Sequence, residues 1–301
     1  EYGFDSFAAY SPRLLSEFSS LTAENAMKPS VIQPERGRFS WTAADKIVNY
    51  AKERSLKVRG HTLVWHNQTP SWFFKTDGTV EERRAWARAV MREHMSAVMG
   101  RYKGAIYAWD VVNEAVADNP GKSIYREDSP WFKMWGDATY VREAFIIARS
   151  IDPDALLFYN DYGMDNPIKR ERVVQMLTEQ GIIKDKLIDG IGLQGHWGIQ
   201  WPNADGIQDA VDELSETGLT LQITELDLIT PKGSETLLAD RYAEIFRALK
   251  ANKDKISGVT FWGVADDHTW LNDFHGYKNY PFLFGENRLP KKAYYRVREA
   301  N

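Results

Sequence analysis

At 301 residues, 43% of them hydrophobic, the chain is long enough for one large domain with a sizeable core. A net charge of −4 and the lack of any dense Lys/Arg cluster argue against a polyanion partner, so no nucleic acid is expected. The absence of cysteine excludes disulfides, thiolate catalysis and Cys-based metal sites, and no apolar run approaches the ~20 residues of a membrane helix.

The sequence opens at Glu1 with neither Met nor a charged-then-apolar leader, which reads as a mature or truncated form. From there, apolar β-prone runs alternate with helix-period segments to the end of the chain. The expected strands are 4–9, 20–27, 57–65, 105–113, 155–160, 190–195, 220–225 and 258–262. The expected helices are 12–18, 43–54, 80–102, 140–150, 168–180, 207–217, 235–252 and 291–299. Thr42 and the run Thr79-Val80-Glu81-Glu82 supply plausible helix starts. Eight strands each followed by a helix predict an α/β fold, a single (β/α)8 TIM barrel filling residues 1–301. The alternative, an open doubly wound sheet, would want a Gly-rich phosphate loop after an early strand, and the sequence has none.

Polar residues gather at the C-terminal ends of seven of these strands. They are Glu24, Asn25 and Lys28; His61, Trp65 and Gln68; Asn113 and Glu114; Asn160 and Tyr162; Gln194 and His196; Glu225 and Asp227; and Trp262. A barrel of this kind keeps its active site at that end. Several tryptophans, among them Trp65, Trp72, Trp197, Trp201, Trp262 and Trp270, sit in mixed polar segments. Beside polar residues they suggest platforms for flat, C–H-rich ligands such as sugars.

Two carboxylates stand out. The run Trp109-Asp110-Val111-Val112-Asn113-Glu114 and the run Ile223-Thr224-Glu225 are apolar strands that each end in a glutamate. Two acids facing one gap are the minimum equipment for cleaving a glycosidic bond. Glu225 and Asp227 are two apart on an extended segment and therefore share a face. His196, at the end of the preceding strand, is placed to bridge them and keep Glu225 ionised. Glu114, flanked by Val111, Val112 and Ala115 and facing a negative Glu225, is expected to hold its proton and act as an acid. For Asn113 and Glu114 both to reach a ligand, the strand must end or twist there. No His-Glu-x-x-His spacing occurs among His61, His66, His94, His196, His268 and His275, and no Gly-x-Ser-x-Gly occurs, so no metal, organic cofactor or serine nucleophile is expected.

With these motifs in order, the chain resembles glycoside hydrolase family 10, the endo-β-1,4-xylanases. The resemblance rests on Thr22-Ala23-Glu24-Asn25-Ala26-Met27-Lys28, Arg59 through His66, Trp109 through Ala115, Tyr159 through Tyr162, Gln194 through Trp197, Ile223 through Asp227, Thr260 through Gly263, and Trp270. It implies an eight-stranded barrel, without the helix that usually precedes the first strand, that hydrolyses internal bonds of xylan with retention of configuration. Xylan and xylo-oligosaccharides would be the substrates, the protein would act as a monomer, and an extracellular location is favoured. Glu114 matches the acid/base and Glu225 the nucleophile, with the carboxyl groups then ~5–5.5 Å apart. His196 and Asp227 match residues that hydrogen-bond around the nucleophile. Glu24, Asn25, Lys28, His61, Trp65, Gln68, Asn113, Gln194, Trp262 and Trp270 match residues lining the glycone subsites, and Asn160 and Tyr162 match the aglycone side. Ala26 replaces a common Glu or other polar residue. The run from Asn272 to Lys278 is about two residues short and carries Tyr277 where Arg is common, and the loop after Asp227 is short as well. The rival readings are another β-1,4-glycanase, a xylanase trimming short oligosaccharides inside the cell, and a sugar-binding barrel without hydrolytic activity.

Overall fold

The computed structural model describes residues 16–118, 123–231 and 234–300. Among the described residues there are eight parallel strands: β1 (Ser20–Thr22), β2 (Lys57–Gly60), β3 (Ala108–Asn113), β4 (Leu156–Asp161), β5 (Gly190–Leu193), β6 (His196–Gly198), β7 (Thr220–Ile229) and β8 (Ile256–Phe261). Neighbours pair in the order β1-β2-β3-β4-β5-β7-β8, and β6 pairs with the distal half of β7. β1 and β8 approach each other, so the wall is nearly closed. The fold is a (β/α)8 TIM barrel. The expected first strand, 4–9, and most of the expected helix 12–18 lie outside the described residues.

Helices α1 (Pro29–Ile32), α2 (Thr42–Glu53), α3 (Val80–Arg101), α4 (Pro130–Trp135), α5 (Tyr140–Ile151), α6 (Pro167–Glu179), α7 (Ala204–Ser215), α8 (Glu235–Ala251), α9 (Leu271–His275) and α10 (Lys292–Glu299) occupy the segments between and after strands. The longest, α3, starts on a capping box in which Thr79 and Glu82 satisfy each other's backbone N–H groups. Its buried face carries Ala87, Val90, Met91, Met95 and Val98, a helical spacing that packs it on the barrel. Three short helices, α1, α4 and α9, and a 3-10 turn at Ser71–Phe74 lie in the βα loops, where no helix was expected. Proline at the first turn starts α1 and α4.

Several strands end earlier or later than the apolar runs suggest. β1 stops at Thr22 because the chain turns at once, with the Lys28 N–H donating to the Asn25 carbonyl. β2 stops at Gly60, before a cis His61–Thr62 peptide. β7 runs four residues beyond Glu225, to Ile229, because β6 gives its far end a partner: His196 pairs with Asp227 in register.

The barrel interior is polar in layers. Low in the barrel, Gln222 donates to the Ser257 hydroxyl. One level up, the Arg59 guanidinium meets Asp110 through two bonds of 2.9 and 2.8 Å. Above them sit His61, Asn113, Asn160, Gln194 and Glu225, each buried. Arg59 and His61 share the inward face of β2 and its continuation by the two-residue period of an extended chain. On β3 the same period is broken by a register shift between Asp110 and Val112, a bulge that re-aims the strand tip. Asn113 thereby comes opposite Asn160.

Candidate active site

β7 brings the first carboxylate to the top of the barrel. Glu225 is 5% exposed. Its Oε1 accepts a 2.7 Å bond from Asn160 Nδ2 and lies 3.9 Å from His61 Nδ1, and its Oε2 lies 3.3 Å from His196 Nε2. The other nitrogen of His196 lies 2.9 Å from Asp227 Oδ1. His196 therefore spans Glu225 and Asp227. Burial alone would discharge this imidazole, but the two carboxylates outweigh it and raise its pKa to about 10. Burial likewise penalises the Glu225 charge, and His61 and His196 overcome that penalty and hold its pKa below the usual value. Asp227 is held on its far side by Trp270 Nε1 at 2.8 Å.

The second carboxylate stands at the tip of β3. Glu114 has φ +58, the left-handed region that non-glycine residues seldom occupy, so the strand has ended there. The turn is tied down on both sides: the Glu114 N–H donates to the Asn160 carbonyl, and Arg126 Nε donates to the Glu114 carbonyl at 2.9 Å. Asn113 and Glu114 consequently face one cavity, with Asn113 Nδ2 donating to Glu114 Oε1 at 3.1 Å. Gln194 Nε2 donates to the same oxygen at 2.9 Å, and Trp65 Nε1 donates to Oε2 at 2.8 Å. The apolar neighbours in sequence, Val111, Val112 and Ala115, are not what the carboxyl meets: polar donors surround it.

One amide pair joins the two acids. Asn160 Nδ2 donates both to Glu225 Oε1 and, at 2.8 Å, to Asn113 Oδ1, while Asn113 Nδ2 holds Glu114. Thr224 fixes the orientation of Asn160 by donating its hydroxyl to Oδ1 at 2.6 Å. Asn160 is fully buried beneath the reaction centre. It therefore does not line the aglycone side, where the sequence reading put it. Gly192 leaves room for this arrangement, since a Cβ there would lie 2.3 Å from Asn160 Oδ1.

Comparison with known proteins gives the constellation a family. The model of glycosyl hydrolase family 10 matches residues 4–300. The chain belongs to that family. It is 42% identical to a β-1,4-xylanase of Dictyoglomus thermophilum over 96% of this chain and 83% of that protein. It is 43% identical to an endo-1,4-β-xylanase of Geobacillus stearothermophilus over 94% of this chain and 89% of the relative. A crystal structure of xylanase XynB from Paenibacillus barcinonensis, complexed with a conduramine derivative, superposes with a TM-score of 0.88 at 38% identity, covering 94% of this chain and 89% of that one.

In this family 10 chain, one side of the cleft is built by β1 and β2. Lys28 Nζ donates to Asn25 Oδ1 at 3.0 Å and to Gln68 Oε1 at 2.7 Å, and lies 4.9 Å from the centre of the Trp65 ring. Desolvation lowers the Lys28 pKa against the pull of Glu225 and Glu24. Glu24 opens into the cleft, yet the cleft walls desolvate it enough to raise its pKa despite Lys28. Trp262 meets His61 edge-on at 5.2 Å, and Trp270 meets His196 edge-on at 5.0 Å. On the opposite side, the Tyr162 hydroxyl donates to Asp118 at 2.5 Å and accepts from Arg126 at 2.8 Å.

Sequence reasoning missed five residues that build this site: Arg59, Asp110, Arg126, Tyr159 and Thr224. Asp110 binds Arg59 on one side and lies 3.0 Å from His61 Nδ1 on the other, so it orients the imidazole toward Glu225. Burial opposes the Asp110 charge, and Arg59 and His61 hold its pKa down. A lone Arg and a lone Asp in adjacent apolar strands were the available signal, because such charges persist in a core only when paired. Tyr159 accepts from the Ala115 and Val116 N–H groups and donates to Asp161, whose pKa burial raises to about 6. Arg126 and Tyr159 thus clamp the backbone on either side of Glu114. No motif spacing announces a clamp formed across 12 or 44 residues.

Proposed function

We propose that this protein is an endo-β-1,4-xylanase that cleaves internal xylosidic bonds with retention of configuration. The observation that carries the reading is the pairing of Glu225 and Glu114 across a shared amide bridge, one held as a carboxylate by His196 and the other seated among amide and indole N–H groups at the cleft surface.

In the first step Glu225 attacks the anomeric carbon and the C1–O bond to the leaving sugar breaks. Glu114 passes its proton to the departing oxygen, so no alkoxide has to form. The product is a glycosyl ester on Glu225, which carries no charge. The negative charge facing Glu114 is then gone, and Glu114 accepts a proton from water as that water attacks C1 from the side the leaving group left. Two inversions restore the original configuration. Asn160 and His196 hold Glu225 in place, while Arg126, Tyr159 and the amides of Asn113 and Gln194 hold Glu114. Pre-set geometry of this kind is where much of an enzyme's rate advantage arises.

Xylose differs from glucose by lacking the exocyclic hydroxymethyl group. Trp262 and Trp270 pack edge-on against His61 and His196 beside the nucleophile, and on this reading these two bulky rings exclude such a group. Steric selection of one small group is worth about 1–3 kcal/mol, so weak activity on other β-1,4-glucans is expected. Product analysis on xylan, cellulose and mannan separates these substrates.

The assignment of roles is tested by replacing Glu225 with Ala and adding azide. On an activated aryl β-xyloside, activity should return and yield the inverted α-glycosyl azide. A β-azide, or full activity without azide, overturns Glu225 as the nucleophile.

A further inference from the structure

The rim beyond Trp270 carries aromatic side chains that the reaction does not use. The loop after β8 turns through α9, and its rings continue the line of Trp270. Trp270 lies 5.0 Å from Phe274, Phe274 lies 5.0 Å from His275, and His275 stacks on Tyr277 at 5.4 Å. The first ring of this ladder is the one whose Nε1 donates to Asp227 beside the nucleophile. Phe274 is 69% exposed, more than any other large apolar side chain among the described residues, and Tyr277 is 47% exposed. A contiguous apolar patch at a cleft rim marks a contact surface.

The scaffold beneath the ladder is built, not loose. Asn279 is fully buried and donates from Nδ2 to the carbonyls of Leu271 and Tyr277. Its Oδ1 accepts from the Thr230 N–H at the end of β7, and its own N–H donates to Asn272. Leu271 is buried under the turn. Gly276, at φ +70, allows the reversal that returns Tyr277 onto His275. The backbone that carries the rings is thus held before any ligand arrives, which lowers the entropic cost of binding one.

The position of the ladder suggests what it meets. Asn25, Lys28 and Gln68 mark the cleft end above β1 and β2, and Tyr162 marks the end above β4. The ladder stands above β7 and β8, on the flank between those ends. A polysaccharide backbone runs from end to end, so the groups that reach a flank are those projecting sideways from its sugars. Charge narrows the choice. Lys278 on this turn is ion-paired with Glu286, and Asp273 adds negative charge, so an acidic branch is disfavoured.

We propose that Phe274, His275 and Tyr277 form a platform that stacks on a neutral pentosyl branch carried by a sugar next to the scissile bond. The proposal rests on the xylanase reading above. The exposed rings then have an occupant, and the short loop carrying Tyr277 becomes a determinant of which branched xylans are cut.

The test compares wild type with F274A/Y277A on arabinose-branched and linear xylo-oligosaccharides of equal backbone length. The double variant should lose about threefold to tenfold in kcat/KM on the branched substrate and nothing on the linear one. Both side chains are exposed, and an unchanged melting temperature checks that the loop is intact. Equal losses on both substrates would assign the ladder to the backbone, and no loss on the branched substrate would leave it without a sugar; either result overturns the proposal. Loss confined to a glucuronate-branched oligosaccharide overturns it as well. Failure of wild type to cut the linear substrate would instead strike at the xylanase reading itself.

Discussion

His196 is the residue whose removal tests the electrostatics of the site most directly. It contributes to Glu225 a hydrogen bond of 3.3 Å from an imidazolium, while Asn160 contributes one of 2.7 Å and His61 Nδ1 lies 3.9 Å away. Replacing His196 with Asn removes the cation and leaves the other two. A charge-assisted hydrogen bond is worth about 1.5–3 kcal/mol, and the long distance here places His196 at the lower end. With about 1.36 kcal/mol per pH unit, the Glu225 carboxyl should titrate about one unit higher in the variant. Loss of the cation also exposes Glu225 to Asp227, which keeps only its Trp270 bond, and that repulsion acts in the same direction. The sign follows: the wild-type pKa is held down, so its acidic limb lies low and removal of His196 moves it up. The assay is the pH profile of kcat/KM on a xyloside with a leaving group that needs no protonation, which isolates Glu225 from Glu114. An acidic limb that stays in place while H196N remains folded refutes the argument.

Other outcomes follow from the same geometry. The His196 pKa is raised from 6.5 to about 10, so its ion pairs stabilise the fold fully below about pH 6.5 and that contribution is lost as pH rises through about 10. Thermal melts of wild type should therefore fall across that window, and H196N should show a flatter profile. Asp110→Asn leaves the buried Arg59 cation without its counter-ion, at a cost of about 3–5 kcal/mol, which calorimetry should record as a melting temperature lower by roughly 10 °C. Asn160→Ala removes the shortest hydrogen bond to Glu225 and should lower kcat by about 10- to 100-fold with a small change in KM, measured by steady-state kinetics. Glu114→Ala should keep its rate best on substrates with good leaving groups, and azide should then give a product of retained configuration.

What the sequence made legible was whatever has a period or a short motif. The alternation of apolar runs placed the barrel. The two-residue spacing of Glu225 and Asp227 led to the correct common face, since both lie on β7 and His196 reaches each of them. Strand ends were misjudged because a buried parallel strand reads as a continuous apolar run, with nothing in composition to say where pairing stops. The extension of β7 to Ile229 depends on a partner, β6, that the chain brings alongside. Asn160 was misplaced for a related reason. Its side chain is buried among Asn113, Thr224 and Glu225, which come from other strands, and no short stretch of sequence announces that meeting.

The polar interior raises a question of stability that bears on function. A barrel core of this type is usually packed with branched aliphatic side chains. Here Arg59, Asp110, His61, Asn160 and Glu225 fill the upper half, and each charge is expensive to bury alone. The cost is contained because every charged group has a partner: Arg59 faces Asp110, Asp110 faces His61, and Glu225 faces His196, which faces Asp227, while His61 reaches across the barrel toward Glu225. Such a chain has one weak link by design of the reaction. Esterification neutralises Glu225, so the His196 imidazolium loses one of its two carboxylate partners and keeps only Asp227. Hydrolysis of the ester restores the carboxylate and the balance. The same arrangement that steadies the resting nucleophile therefore favours its release from the sugar, and a variant that removes His196 should accumulate the glycosyl ester, detectable as a pre-steady-state burst with an activated substrate.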